Sequence, residues 1–125
     1  MTAIKKYDLE ERTGRFGENN IDFCLSLSYD YMAKPIINQL IRSATSIGAN
    51  YMEANGASSR KDFRNKILIC KKEAQETKHW LRMRGKIYPK ESEKLRYLWR
   101  ECQELTLIFY QIATTIDKGK SLNRN

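Results

Sequence analysis

Between Arg42 and Phe63 the stretch RSATSIGANYMEANGASSRKDF carries a helix end, a corner and a new helix start. That succession limits the chain to folds in which two helices follow one another directly. Up to Tyr51 the apolar face repeats at Ile37, Leu40, Ile41, Ala44, Ile47, Gly48 and Tyr51, the spacing of a 3.6-residue period. Asn55-Gly56 then punctuates the helix, as expected where a chain visits φ > 0, and Ser58-Ser59 followed by Asp62 offers an N-cap with an acid in the next first turn. A link this short folds the second helix back antiparallel to the first.

The flanking segments read as two more helices. Asp8 is the expected N-cap of a first helix over about 8–28, with Glu11 three residues on and an apolar stripe at Leu9, Phe16, Phe23, Cys24 and Leu27. Gly14, Gly17 and Asn19-Asn20 lower its propensity, so it must lean on tertiary packing. After a loop from Ser28 to Lys34, Pro35 opens a second helix over 34–55. A third spans 59–87, with Phe63, Ile67, Cys70, Ala74, Thr77 and Leu81 alternating steps of four and three, and Tyr88-Pro89 ends it. A fourth spans 90–117 with the same rhythm at Leu95, Leu98, Cys102, Leu105, Phe109, Ile112 and Ile116, leaving residues 118–125 as a frayed tail. The expectation is an all-α, antiparallel up-down-up-down four-helix bundle forming a single domain over residues 1–125. Ala44 and Gly48, one turn apart, would let a neighbour inside the bundle approach closely.

No apolar run approaches the 18 or so residues of a membrane span, and the opening MTAIKKYDLEE has no apolar core, so the reading places the protein in the cytoplasm with no membrane partner. Cys24, Cys70 and Cys102 are odd in number, far apart and on apolar faces, as suits buried reduced thiols. The formal net charge of +8 favours an acidic partner, nucleic acid before membrane.

That charge is concentrated. Between Arg60 and Lys86 there are ten basic residues against three acids. At 100° per residue Arg60, Arg64, Lys71, Lys78 and Arg82 fall within about 40° of one another beside the apolar seam. Such a rail suits successive phosphates; the plainer alternative is a solvated face whose long stems cover the seam edge. Another face of the same helix gathers Ile69, Trp80 and Ile87 around Glu73 and Glu76. Either a neighbouring helix covers these apolar groups or they belong to a subunit interface, which would join the small polar positions Ser43, Ser46, Ala49 and Asn50 on the second helix, with Arg42 and Glu53 nearby. Tyr and Trp fall mostly at or beside apolar seams, so the sequence offers no evident platform for stacking single strands.

Signs of catalysis are few. His79 is the only histidine and projects away from the seam, with no cysteine near it, so no metal site is expected. No phosphate-cradling glycine loop or nucleophile elbow occurs, and Glu73-x-x-Glu76 lacks the matching ligands of a di-iron bundle. The expectation is a protein with no catalytic residues and no cofactor.

Three strings, YDLEERTGRF, RSATSIGANYMEANGASSRKDF and KEAQETKHWLRM (Lys72 to Met83), resemble the small bundle proteins encoded by intervening sequences inside bacterial 23S ribosomal RNA genes, over about residues 7 to 117. The resemblance implies a four-helix bundle assembling into a ring-like homopentamer with a basic surface and a link to RNA. It also implies a more distant similarity to accessory proteins of diversity-generating retroelements, which bind a reverse transcriptase and nucleic acid. Asn20 and the glycines of the first helix depart from that pattern. The combined expectation is a non-enzymatic basic oligomer that binds structured RNA through Arg60, Arg64, Lys71, Lys78 and Arg82. Its self-association would use Ser46, Asn50, Glu53, Ile69, Glu73, Glu76 and Trp80. The alternative is a scaffold ring that recruits a protein partner such as a reverse transcriptase.

Overall fold

The structure, a computed structural model, describes the backbone of residues 2–25 and 30–124 and the side chains of 9–25 and 30–119. The described residues form four helices, α1 Thr2–Leu25, α2 Lys34–Asn55, α3 Arg60–Ile87 and α4 Ser92–Arg124, with a 3-10 turn at Pro89–Glu91 before α4. No strand occurs among the described residues.

Side-chain partners fix the direction of each helix. Arg42 of α2 meets Glu73 of α3, and Glu53 further along α2 meets Lys66 earlier in α3. Arg64 of α3 meets Asp117 and Lys78 meets Gln103, so α4 also runs back along α3. A Cβ added at Gly17 of α1 would lie 3.5 Å from Thr45 Cα, and one at Gly48 of α2 would lie 3.4 Å from the Thr13 carbonyl oxygen. Arg12 of α1 pairs with Glu101 and Glu104 of α4. Each helix is thus antiparallel to its sequence neighbour, and α4 closes the bundle against α1. The close approach expected at Ala44 and Gly48 is made by α1 of the same chain.

The core follows the four-three rhythm. Ile67, Cys70, Ala74, Thr77 and Leu81 of α3 and Leu98, Cys102, Leu105 and Phe109 of α4 are buried, while Phe63, Leu95 and Ile112 are partly buried against them. Tyr51 reaches across to Phe109 with ring centroids 6.3 Å apart. The three cysteines are buried and free, and burial pushes the Cys70 and Cys102 thiols up to about 12. Asn20 is fully buried, its amide donating to the Phe16 carbonyl at 2.8 Å while its Oδ1 has no partner. Ser43, expected on an outward face, is buried with its hydroxyl 2.9 Å from that of Thr77.

Helix ends differ from expectation in three places. α1 begins at Thr2, so Asp8 lies inside it rather than capping it; Ala3, Ile4, Lys5 and Lys6 carry no stop signal. Its expected last residues, 26–28, lie outside the described residues, as does part of the loop. α4 continues to Arg124 instead of ending at Asp117, because neither a proline nor a cap follows and one glycine costs only about 1 kcal/mol. Gly56 sits at φ −96°, not in the left-handed region. Tightened i→i+3 bonds from Gly56 N–H to Glu53 and from Ala57 N–H to Ala54 turn the chain there without it. Ser59 is the N-cap of α3, its hydroxyl accepting from the Asp62 N–H at 3.0 Å.

Gly14 faces open space: a Cβ there meets nothing within 4 Å. Gly14→Ala is therefore expected to raise unfolding free energy by about 0.8–1 kcal/mol, read from urea denaturation. A loss of stability would show that α1 is not a continuous helix there.

Candidate nucleic-acid interface

Successive seven-residue steps up α3 meet matching steps back down α4. Arg64 donates a bidentate pair to Asp117 at 2.7 and 3.0 Å. Lys71 places its ammonium 5.2 Å from the ring centroid of Tyr110. Lys78 donates to Gln103 and lies 5.4 Å from the centroid of Trp99. These three of the five rail residues are only partly exposed, and α4 occupies their charged ends. The rail is therefore the α3 wall of the α3/α4 groove rather than a free ridge. Among the described residues, carboxylate neutralisation along it occurs at Arg64 alone.

Arg60 and Arg82, at the two ends of the rail, are exposed and have no ion pair among the described residues. Arg60, Lys61 and Arg64 line a hollow of about 480 Å³ with Asp117, and Arg82 lines another of about 420 Å³ with Trp99 and Leu95. Lys61, Lys72 and Lys86 on the outer side of α3, and Arg96 and Arg100 on α4, are also exposed without an ion pair among the described residues. The accessible cations thus sit around the groove rather than in a single file.

Exposed aromatics accompany them, contrary to the expectation that stacking platforms are missing. Trp99 is 39% and Tyr110 53% exposed beside α3, while the exposed Tyr97 lines the α1/α4 cleft. Trp99 follows the buried Leu98 and Tyr110 follows the buried Phe109, and one residue turns a side chain about 100°, out of the seam and onto its α3 edge. A cleft of about 520 Å³ between α1 and α4 suits phosphates less well, since Asp22 and Glu93 outnumber Lys94 in its lining.

The seven residues expected at a subunit interface fall along the α2/α3 edge, on the other side of α3. Their polar groups are engaged within the chain. Arg42, which the sequence places near this edge, pairs with Glu73 at 3.2 Å and with Glu76, and the Trp80 indole N–H donates to Glu76 at 2.8 Å. Glu53 takes Lys66 at 2.9 Å, and the Asn50 amide donates to the Ser46 carbonyl at 2.8 Å. Glu73 is buried; Trp80 is partly buried against the core, and Ile69 is likewise only partly accessible. His79 is exposed, edge-on to Trp80 with ring centroids 4.9 Å apart. No group of three His, Cys, Asp or Glu suited to a metal ion occurs among the described residues.

The Trp80 indole, joined by Arg42, holds the Glu76 carboxyl below its ordinary range despite partial burial. The ionised form therefore adds stability in full above the unfolded value of about 4.3, and this is lost as pH falls through the lowered folded value. The difference in melting temperature between the native protein and Glu76→Gln is expected to stay level from pH 8 to about 5.5 and to shrink below about 4.3. A difference that widens on acidification would contradict this pairing.

Arg84 is the basic residue most at odds with its surface neighbours. Its side chain is fully buried, donating from Nη2 to the Phe23 carbonyl at 3.0 Å and to Glu91 at 2.8 Å. Its guanidinium lies 3.2 Å from the Phe23 ring centroid, and Nε and Nη1 have no partner. It caps the C-terminal end of α1 with positive charge and ties the start of the α3–α4 connection to α1.

Residues 26–111 match the family described as 23S rRNA-intervening sequence protein. The chain belongs to this family. A solved structure of a protein of unknown function from the S23 ribosomal protein family, from Bacteroides thetaiotaomicron, is similar with a TM-score of 0.76. It is 30% identical, with 83% of this chain and 96% of that one covered. No curated protein matches. The part shared with the 23S rRNA-intervening sequence proteins takes in all of α2 and α3 and α4 as far as Gln111, so it includes the rail, Trp99, Tyr110 and the α2/α3 edge. It leaves out α1 and Asp117. No helix among the described residues is long and apolar enough to cross a membrane.

Proposed function

We propose that this 23S rRNA-intervening sequence protein is a non-enzymatic basic bundle that binds structured RNA in the cytoplasm through its α3/α4 face. The observation that supports this most strongly is the distribution of unpaired charge. Arg60, Lys61, Lys72, Arg82 and Lys86 are exposed without ion pairs among the described residues, while Glu53, Glu73, Glu76 and Asp117 on the two edges of α3 are engaged by cations of the same chain. Positive charge without a carboxylate partner is therefore gathered along the outer side of α3, where phosphates can take it up.

Binding of this kind depends strongly on salt. With three to five phosphate contacts, RNA affinity measured by filter retention falls roughly 40- to 500-fold between 50 and 200 mM salt. No retention at 50 mM, or retention indifferent to salt, overturns the reading. Self-association, to a homopentamer, is part of the same proposal and places a second copy on the α2/α3 edge through Ser46, Asn50, Glu53, Ile69, Glu73, Glu76 and Trp80. Light scattering with and without RNA counts the subunits, and a monomer under both conditions removes the oligomer.

A further inference from the structure

We propose that, within the RNA bound by the α3/α4 face, the stretch gripped by the protein is unpaired, with Trp99 and Tyr110 as platforms on which its bases stack. This inference rests on the RNA-binding reading of that face and goes further by naming the class of nucleic acid. In a duplex the flat faces of the bases are covered by one another, so an exposed ring on a helix edge can gain little from paired RNA. An unpaired base presents its whole face, and stacking on an aromatic side chain raises affinity roughly 5- to 150-fold per base.

Trp99 and Tyr110 meet the geometric requirements. Both rings are well exposed, at 39% and 53%, and each is steadied from the α3 side by a lysine ammonium, Lys78 and Lys71 respectively. They stand eleven residues apart on α4, roughly 16 Å along its axis. At about 3.4 Å per nucleotide that span holds about five stacked nucleotides. The same lysines would lie beside the phosphates of bases stacked there, with Arg82 and Arg96 exposed nearby to meet the strand on either side of Trp99. Charge alone would favour the duplex, whose phosphates are more densely spaced; exposed rings interleaved with cations favour the unpaired form.

The test compares fluorescein-labelled 12-nucleotide oligouridylate with a 12-base-pair RNA duplex, by anisotropy at 50 and 100 mM salt. The proteins are the native chain, Trp99→Leu, Tyr110→Leu and the conservative Trp99→Phe, each checked by circular dichroism. Oligouridylate is expected to bind at least tenfold more tightly than the duplex. Each Leu variant is expected to lose at least fivefold for oligouridylate while keeping its duplex affinity and salt slope, and Trp99→Phe to retain most of the preference. In a Trp80→Phe background, oligouridylate is expected to quench Trp99 emission. Equal binding of the two RNAs, or Leu variants that weaken both equally or neither, overturns the stacking while leaving RNA binding in place. Absence of binding to either RNA at 50 mM salt removes the RNA-binding reading itself. A change of oligomeric state on Trp99→Leu without RNA assigns the ring to a contact between copies and also overturns the proposal.

Discussion

Reversing Lys72, Arg82 and Lys86 together to Glu is expected to lower RNA affinity by on the order of 10²–10³ at 100 mM salt, with helix content unchanged. These side chains are exposed and have no ion pair among the described residues, so surface substitution costs little, within about 0.5 kcal/mol each. Their loss removes up to three phosphate contacts and lowers the slope of log affinity against log salt by about 3. Arg64, Lys71 and Lys78 are a poorer choice for the same purpose. Arg64→Glu sets a carboxylate against Asp117, and Lys71→Glu and Lys78→Glu discard the contacts to Tyr110 and to Gln103 and Trp99. A drop in binding by those variants would mix damage to the α3/α4 packing with loss of charge. If the outer triple reversal binds RNA as the native protein does, the α3/α4 face is not where phosphates are held.

Arg84→Ala is expected to cost about 3–5 kcal/mol, the range found when one partner of a buried pair is removed. In a chain of this size that lowers the melting temperature by on the order of 10–20 °C. Three losses coincide at this site. The Phe23 carbonyl at the end of α1 loses its donor, the Glu91 carboxylate loses its cation, and the space beside the Phe23 ring is left empty. Arg84→Met fills much of that space and also removes the two N–H-bearing nitrogens that have no partner, so its cost is expected to be clearly smaller. Guanidinium denaturation of both variants, fitted with a common slope, checks the ordering. Equal stability of Arg84→Ala and the native protein would mean that α1 does not depend on this guanidinium.

Periodicity made the bundle legible because the four-three rhythm is carried by apolar and small side chains that the surrounding charged positions set apart. Ile67, Cys70, Ala74, Thr77 and Leu81 repeat on α3, and Leu98, Cys102, Leu105 and Phe109 repeat on α4; all are buried. Ser59 was equally readable, since a hydroxyl three residues before an acid is a local signal with a local partner. The same rhythm extended one step beyond Leu81 lands on Arg84, so its burial was present in the spacing but masked by its charge.

What the sequence could not supply was the register between helices. That Arg64 faces Asp117, and Lys78 faces Gln103, depends on how the Tyr88–Glu91 connection sets α4 against α3, which neither helix encodes alone. The accessible cations are consequently displaced from the rail toward Lys61, Lys72 and Lys86 on the outer side of the same helix. Trp99 and Tyr110 looked like seam residues because each follows one; the single-residue offset decides whether an aromatic ring faces the core or an RNA base. Helix ends were the least legible part, as the start of α1 at Thr2 and the run of α4 to Arg124 show.

The location of bound RNA is read most directly by ultraviolet cross-linking of 4-thiouridine-substituted RNA to the native protein, followed by mapping of the modified peptides. The expected cross-links fall in α3 between Arg60 and Lys86 and in α4 between Arg96 and Tyr110, and they disappear at high salt. Cross-links confined to α1 or α2 would contradict the account.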